Sequence, residues 1–590
     1  MRPQLSRLDA QARAALARKI RSQLPAADAP STDYDVAIAG GGIAAMALAL
    51  EIRQARPQTR ILIIEPRTHP VPEITHTVGE STVEVSAHYL RDRLGLGEHL
   101  STAHIRKMGL RMFFSHAHNS DIASRMELGG SSFVPQVTYQ IDRGRLENEL
   151  HNRCLAAGVD FRRGRVQSVA FGGDGSSHAV SFQTDQVRTE TTARWVVDAS
   201  GRNRTLPRQL DIKQANQHHC NAAWLRVATE IDINGWSEDP DWKGRLVEGD
   251  RANSTNHLMG KGYWVWLIRL GSGATSVGIV ADPAMHPFDQ FNTLPKARAW
   301  LREHEPQCAA VLAEHEHQIR DFRVMKKYSH GATRVFDGAQ RWCLTGDAGV
   351  FLDPLYSSGL DLVAIGNGLI TDMIIRDLGG EDVVARAQVS DTLFRSLTEM
   401  WLAVYQDQYV LMGTPAVMSA KVTWDIAFYW GFIGLLYMND RFVRIADDPE
   451  FVPQLDGLIA LSNRVQRFLR EWASLEARGG EMATVPFMDL YTPLNFMVSL
   501  HTAMMEPSPN FGAQFDANAL LLHKVAGQLV ETVLAAKSSM FDDDEVMRQV
   551  QAWQRDPLLR ELRAVYRRDQ EADPISSDWI VTGLPVLQPN

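Results

Sequence analysis

The run from Tyr34 to Glu65 constrains this 590-residue chain more than any other stretch. It opens with Tyr34-Asp-Val-Ala-Ile-Ala, short, apolar and rich in β-formers, and turns at Gly40-Gly41-Gly42. Ile43 to Arg53 then supplies Ala, Met, Leu and Glu, all good helix formers. A second apolar run, Arg60-Ile-Leu-Ile-Ile, closes on Glu65. Strand, glycine turn, helix, strand and acid make a complete βαβ unit. Within Gly40-x-Gly42-x-x-Ala45 the first glycine permits a tight turn, and the second lets backbone N–H groups approach a pyrophosphate. The third small residue lets the helix pack on the strand. The helix N-terminus adds partial positive charge for phosphates, and Glu65 stands where an acid would bond a ribose hydroxyl. A bare glycine loop would read as a simple turn; in this context it reads as a dinucleotide site. Arg67 would suit a 2′-phosphate, but Glu65 argues against one.

Bulk properties narrow the rest. The chain is too long for one ordinary core, and 45% hydrophobic with 22% charged residues is a globular balance that excludes disorder and coiled coil. With 61 basic against 70 acidic side chains the net charge is −9, so nucleic acid is not an expected partner. Cys154, Cys220, Cys308 and Cys343 contain no C-x-x-C pair, which argues against a disulfide frame or structural zinc and suits the reducing cytoplasm. His218-His219-Cys220 has no further ligand cluster near it in sequence, so no metal is expected. The most apolar run, Ile426 to Met438, falls short of the ~20 residues of a spanning helix, so no transmembrane segment is expected. Residues 1–32 read as a surface helix and linker, with Leu5, Leu8, Ala12, Ala15, Leu16 and Ile20 at helical spacing. Residues 33–395 form the motif-bearing core, and 396–590 turn to long helical patterns rich in Met, Trp, Tyr and Leu. Trp401, Tyr405, Tyr409, Met412, Phe428, Tyr429, Trp430 and Tyr437 are candidates to line an apolar site, with helical packing the plainer role for most.

Three more segments follow the glycine turn. Val196-Val-Asp198-Ala-Ser-Gly201-Arg202 is a strand entering a small-residue turn. Leu344-Thr-Gly346-Asp347 continues to Asp353-Pro354, and an acid after Gly346 can bond ribityl hydroxyls. Tyr139-Gln-Ile-Asp142-Arg143 is the last. Together these pieces resemble the flavoprotein monooxygenase superfamily, which implies FAD as cofactor. The implied fold is α/β: a Rossmann-type FAD-binding domain, an antiparallel-sheet substrate domain, and a helical C-terminal region.

Three stretches sharpen the resemblance. Val78-Gly79-Glu80-Ser81-Thr82 is similar to the Gly-Glu-Ser/Ala element of the flavin-dependent halogenases. Tyr263-Trp264-Val-Trp266-Leu-Ile268-Arg269 resembles their W-x-W-x-I-P signature, and Asp353-Pro354-Leu-Tyr356-Ser357-Ser358-Gly359 resembles their D-P-x-x-S-S/T-G element. The resemblance spans roughly 33–375. It implies that reduced FAD from a separate flavin reductase, with oxygen, oxidises chloride or bromide to hypohalous acid. A lysine then positions or carries the halogen for aromatic substitution on a small or carrier-bound arene. Lys107 in Arg106-Lys107-Met-Gly is the match for that lysine; a surface lysine is the plain alternative, and Arg111 is the rival position. Trp264 and Trp266 would shield the flavin, and alternating aromatics on a strand also pack. Ser357 joins the catalytic set, and the backbone amides of Ser358 and Gly359 would hold halide. Gly40, Gly42, Ala45, Glu65, Glu80, Arg143, Asp198, Gly201, Asp347 and Pro354 would hold FAD. Two positions depart from the pattern. Arg269 replaces the signature proline and leaves open an FAD monooxygenase of an aromatic or polyene substrate without halogenation. Tyr356 stands where tryptophan halogenases carry a glutamate, so phenols, pyrroles or carrier-bound aryl groups are expected rather than free tryptophan.

Overall fold

The computed structural model describes residues 33–572, apart from 76, 174–175, 186, 478–484, 492–493, 507 and 539–542. The helix and linker expected over 1–32 lie outside the described residues.

Two sheets organise the chain. The first is built on five parallel strands in the order Trp342–Leu344, Val187–Asp198, Tyr34–Ala39, Ile61–Glu65 and Asp160–Arg163. The strands Tyr34–Ala39 and Ile61–Glu65 are almost wholly buried, as parallel strands covered on both faces must be. Helices Ile43–Ala55, Arg143–Ala156 and Gly359–Leu378 supply one cover. Register is what matters for function. Ala39 pairs with Asp198 and with Ile64, and Asp198 pairs with Leu344. The strands therefore end level, and the turns after residues 39, 64, 198 and 344 open along one carboxyl edge, where open α/β sheets bind ligands.

The second sheet has eight strands, ordered Ile319–Met325, Asn221–Val227, Thr275–Ala281, Tyr263–Arg269, Thr255–Gly260, Leu110–Phe114, Glu127–Gly129 and Phe487–Asp489. Most neighbours are antiparallel, but Thr255–Gly260 runs parallel to Leu110–Phe114, and the edge strand Phe487–Asp489 parallel to Glu127–Gly129. That edge strand comes from the otherwise helical C-terminal region. One apolar core runs unbroken from Tyr34 to Leu562 across both parts. The expected class, parallel dinucleotide sheet, largely antiparallel second sheet and C-terminal helices, is the one observed.

Two apolar segments of the C-terminal region stand out. Ile426 to Met438 is not a single helix: Pro415–Phe428 widens into a π-turn over Tyr429–Gly434 before Leu435–Met438. And one helix does have the length and composition to cross a bilayer: Phe511–Ser538, 28 residues with a window of mean hydropathy 1.3. Half of that window is buried in the fold, packed against Pro557–Ala572 and Asp544–Arg555.

Candidate active site

A cavity of about 740 Å³ opens along the carboxyl edge of the first sheet and runs beneath the second. That volume lies within the ~300–1,000 Å³ typical of ligand and cofactor sites. Its wall gathers Gly40, Gly42, Glu65, Glu80, Arg143, Gly201, Asp347, Pro354, Ser357, Ser358 and Gly359, as well as Trp264 and Trp266. Gly40 turns at φ +100°, and a Cβ there would collide with the Ala199 backbone, so the turn requires glycine. A Cβ on Gly42 or on Gly359 would meet nothing within 4 Å: both present bare backbone to open space. The amides of Ser358 and Gly359, at the head of the helix Gly359–Leu378, are bonded to none of the described residues. Bare glycine backbone, a helix N-terminus at each end and a long open trough fit FAD. Ala45 is fully buried and packs the helix on the sheet.

Several polar residues are already engaged. Glu65 accepts from the amide of Gly41 at 2.5 Å and from Nε of Arg67 at 2.9 Å. Arg67 also reaches Glu147 at 3.0 Å, so its charge is spent within the protein rather than on a 2′-phosphate. Glu80 pairs with buried Arg226 at 2.7 Å, and burial pushes its carboxyl up. Arg143 donates to the carbonyl of Val78 and to Glu147. Burial also pushes the Asp347 carboxyl up, against the pull of His330 and Arg202. Asp198 does not reach the cavity. Its carboxylate accepts from the amides of Ser200 at 2.8 Å and Leu206 at 2.7 Å, fixing the turn that carries Gly201.

Trp264 and Trp266 alternate on one strand and so share the cavity face, their rings 5.7 Å apart. Each indole is anchored from behind, Trp264 by the hydroxyl of Tyr409 and Trp266 by Ser276, both at 3.0 Å. Opposite Trp266 in register stands Gly278, where any Cβ would enter the ring.

Lys107 is 3% exposed. Its ammonium donates to Ser81 Oγ at 2.8 Å and to the carbonyl of Thr82 at 2.9 Å. Burial lowers its pKa to about 8, opposed by Glu84 and Asp361. Lys107 lines a second, smaller cavity of about 120 Å³, whereas Ser81 lines the large one; Ser358 lines both. The small cavity is walled by Glu84, Asp361, Trp401, Phe428, Tyr429 and Trp430, among others. The π-turn lets the consecutive Tyr429 and Trp430 both face it. Tyr356 donates to Asp425 at 2.8 Å, and Lys421 and Gln466 hold the other sides of that carboxylate.

The two arginines singled out from the sequence lie elsewhere. Arg111 is locked in a fully buried pair with Glu127 and lines neither cavity. Arg269 faces outward to Glu230 at 2.6 Å, both partly exposed, and also lines neither.

Around Asp353 the sequence reading set His218 aside as a metal fragment, took Tyr409 as an apolar lining residue and passed over Tyr328. His218, Tyr328 and Tyr409 converge on the Oδ2 of Asp353 at 2.6, 2.5 and 2.7 Å. Burial pushes that carboxyl up, but these hydrogen bonds hold it below the usual range. His218 looked inert because its partners come from residues far along the chain. Among the described residues no trio of His, Cys, Asp or Glu is placed to hold a metal.

A family described as lycopene cyclase protein matches residues 35–221. Over 486 residues the chain is 26% identical to the flavin-dependent halogenase chlA of Dictyostelium discoideum, covering 77% of this chain and 78% of that one. It is also 26% identical to a 1H-pyrrole-2-carbonyl-(peptidyl-carrier protein) brominase of Pseudoalteromonas luteoviolacea, covering 59% and 79%. Among solved structures, halogenase PltM in complex with phloroglucinol and FAD superposes with a TM-score of 0.53 at 16% identity, covering 93% of this chain and 98% of that one. The chain is thus similar in sequence to curated flavin-dependent halogenases and similar in fold to halogenase PltM.

Proposed function

We propose that the chain is an FAD-dependent halogenase of small aromatic substrates, phenolic, pyrrolic or carrier-bound. The observation that carries this reading is the place of Lys107: its ammonium lines the small aromatic cavity while bonded to Ser81, which lines the large one. Bound FAD, reduced by a separate flavin reductase, supplies the two-electron chemistry by which oxygen oxidises halide. The chain's own residues do the rest. The free amides of Ser358 and Gly359 offer convergent donors to chloride or bromide, whose burial without partners is costly. Ser357, held at φ +59°, shapes the turn that aims them. Trp264 and Trp266 separate the trough from the substrate side. Hypohalous acid crosses at Ser81 and Ser358 and is held by the Lys107 ammonium, a charged donor that orients the halogen toward the arene. Tyr356 lines the small cavity at the position where tryptophan halogenases carry a glutamate.

A monooxygenase without halogenation rested on Arg269, and that side chain is turned to Glu230 at the surface. The four cysteines are all free and buried, in keeping with a cytoplasmic enzyme. The test is turnover of the FAD-loaded protein with NADH, a flavin reductase, bromide and catalase. Halogenated arene that depends on the protein, and whose yield relative to trapped oxidised halogen collapses in Lys107→Ala, supports the reading. An arene carrying oxygen and no halogen overturns it.

A further inference from the structure

The turn 353–359 carries the free amides of Ser358 and Gly359, and its backbone is strained. Ser357 sits at φ +59°, a left-handed conformation that a residue with a Cβ rarely adopts. Such a turn keeps one shape only where its surroundings over-determine it. Inside the turn, Asp353 Oδ1 accepts from the amide of Leu355 at 2.9 Å, and the amide of Ser357 donates to the carbonyl of Pro354 at 3.0 Å. Two tyrosines of the C-terminal region hold its two ends from outside. Tyr409 donates to Asp353 Oδ2 at 2.7 Å, and Tyr405 shares a hydrogen bond with Ser358 Oγ at 3.1 Å. All four residues are buried, at 1–4% exposure.

Neither tyrosine lines either cavity, so both act through the turn rather than on a ligand. Burial pushes both phenols up, so each keeps its proton. The Tyr409 hydroxyl also accepts from the Trp264 indole at 3.0 Å. The residue that fixes the start of the turn therefore fixes a ring of the flavin trough as well. We infer that Tyr405 and Tyr409 are positioning residues for halide. They hold the strained turn in the shape that aims the amides of Ser358 and Gly359 together, and so set how tightly chloride or bromide binds. The inference rests on the halogenase reading and gives the C-terminal helices a part in it. A halide gains from both amides only where both point at it. A turn free to relax must be ordered again at each binding event, and that cost comes out of the affinity.

Two measurements on Tyr405→Phe and Tyr409→Phe test it. Each variant removes one hydroxyl, and Tyr409→Phe leaves His218 and Tyr328 on Asp353, so the buried carboxylate keeps partners. The first measurement is bromide titration of the oxidised, FAD-loaded protein, read by flavin absorbance and calorimetry. The second is turnover against bromide concentration with NADH, a flavin reductase and catalase, read as oxidised halogen trapped by monochlorodimedone. Each variant should bind bromide about fivefold more weakly and raise the bromide KM in step. Its kcat at saturating bromide and its FAD affinity should stay within twofold of the unaltered protein. If one variant does not fold, the other carries the test, because each acts at a different end of the turn. Bromide affinity and KM like those of the unaltered protein overturn the inference. So does a fall in kcat or FAD affinity with bromide affinity unmoved, the mark of a role in the fold alone. Failure of the unaltered protein to oxidise bromide removes the halogenase reading and the inference with it. Oxidation of bromide by the unaltered protein, matched by both variants at every concentration, removes the inference alone.

Discussion

The ammonium of Lys107 and the hydroxyl of Ser81 are 2.8 Å apart, and the two residues belong to different cavities. Ser81 is held in turn by Thr255 at 3.1 Å. On the proposed reading the pair bridges the two cavities, and hypohalous acid crosses between them by exchanging hydrogen bonds. Replacing Ser81 with alanine removes one partner from a buried ammonium, which costs ~1.5–3 kcal/mol for a charged hydrogen bond. Ser81→Ala should therefore lower the yield of halogenated arene per oxidised halogen by about tenfold or more. Flavin affinity, read by absorbance titration, should stay within twofold. A yield equal to that of the unaltered protein would place the crossing elsewhere.

The proposed role of the Lys107 ammonium makes a pH prediction. Burial lowers its pKa to about 8, so the ammonium is the major form below that pH and is lost above it. Arene halogenation relative to trapped oxidised halogen should decline as pH rises through about 8, and a profile flat to pH ~10 would rule out the ammonium as the working form. Stability responds in the opposite sense. Folding disfavours the charged form of this lysine, so its cost is largest below about 8 and is relieved between there and 10.5, the value for a free lysine. Lys107→Met should accordingly raise the thermal midpoint at neutral pH and leave it nearly unchanged at alkaline pH.

Gly278 and Trp266 face one another in register, and the glycine makes room for the indole. Gly278→Ala overpacks that site, which costs ~1–3 kcal/mol. Thermal denaturation should show the loss, and pairing it with Trp266→Leu should recover most of it, since the two changes act on one space. Additive losses in the double variant would mean that the glycine serves the backbone instead.

Arg269 occupies the place of a signature proline, yet it ends in a partly exposed pair with Glu230. Such pairs contribute ~0–1 kcal/mol. Arg269→Ala should leave product identity and turnover within twofold of the unaltered protein, measured by product mass over time. A switch from halogenated to oxygenated product would show that this position acts on the cavity from outside it.

How much of this was visible beforehand depends on the range of the interactions. The glycine turn, the strand that ends at Glu65, the Asp347 turn and the serines before Gly359 depend on backbone geometry within a few residues, and the local sequence records that geometry directly. Their meeting in one cavity follows from parallel register, which short motifs at strand ends already imply. Lys107 was readable as the match to a family lysine, but its burial and its bond to Ser81 were not. The side chain of Asp198 serves its own turn rather than the cavity, a distinction that composition cannot make.

The sequence by itself determined the dinucleotide architecture and carried the resemblance to the flavin-dependent halogenases, because each is written in contiguous residues whose spacing obeys local rules. Only the tertiary structure decided the substrate cavity. Glu84, Lys107, Asp361 and Trp430 come from four distant segments, and nothing in the neighbours of Trp430 sets it apart from ordinary helical packing. Whether a buried polar group is satisfied is a property of everything packed around it. That is why the burial of Lys107 and its bond to Ser81 become legible only once the chain has folded around them.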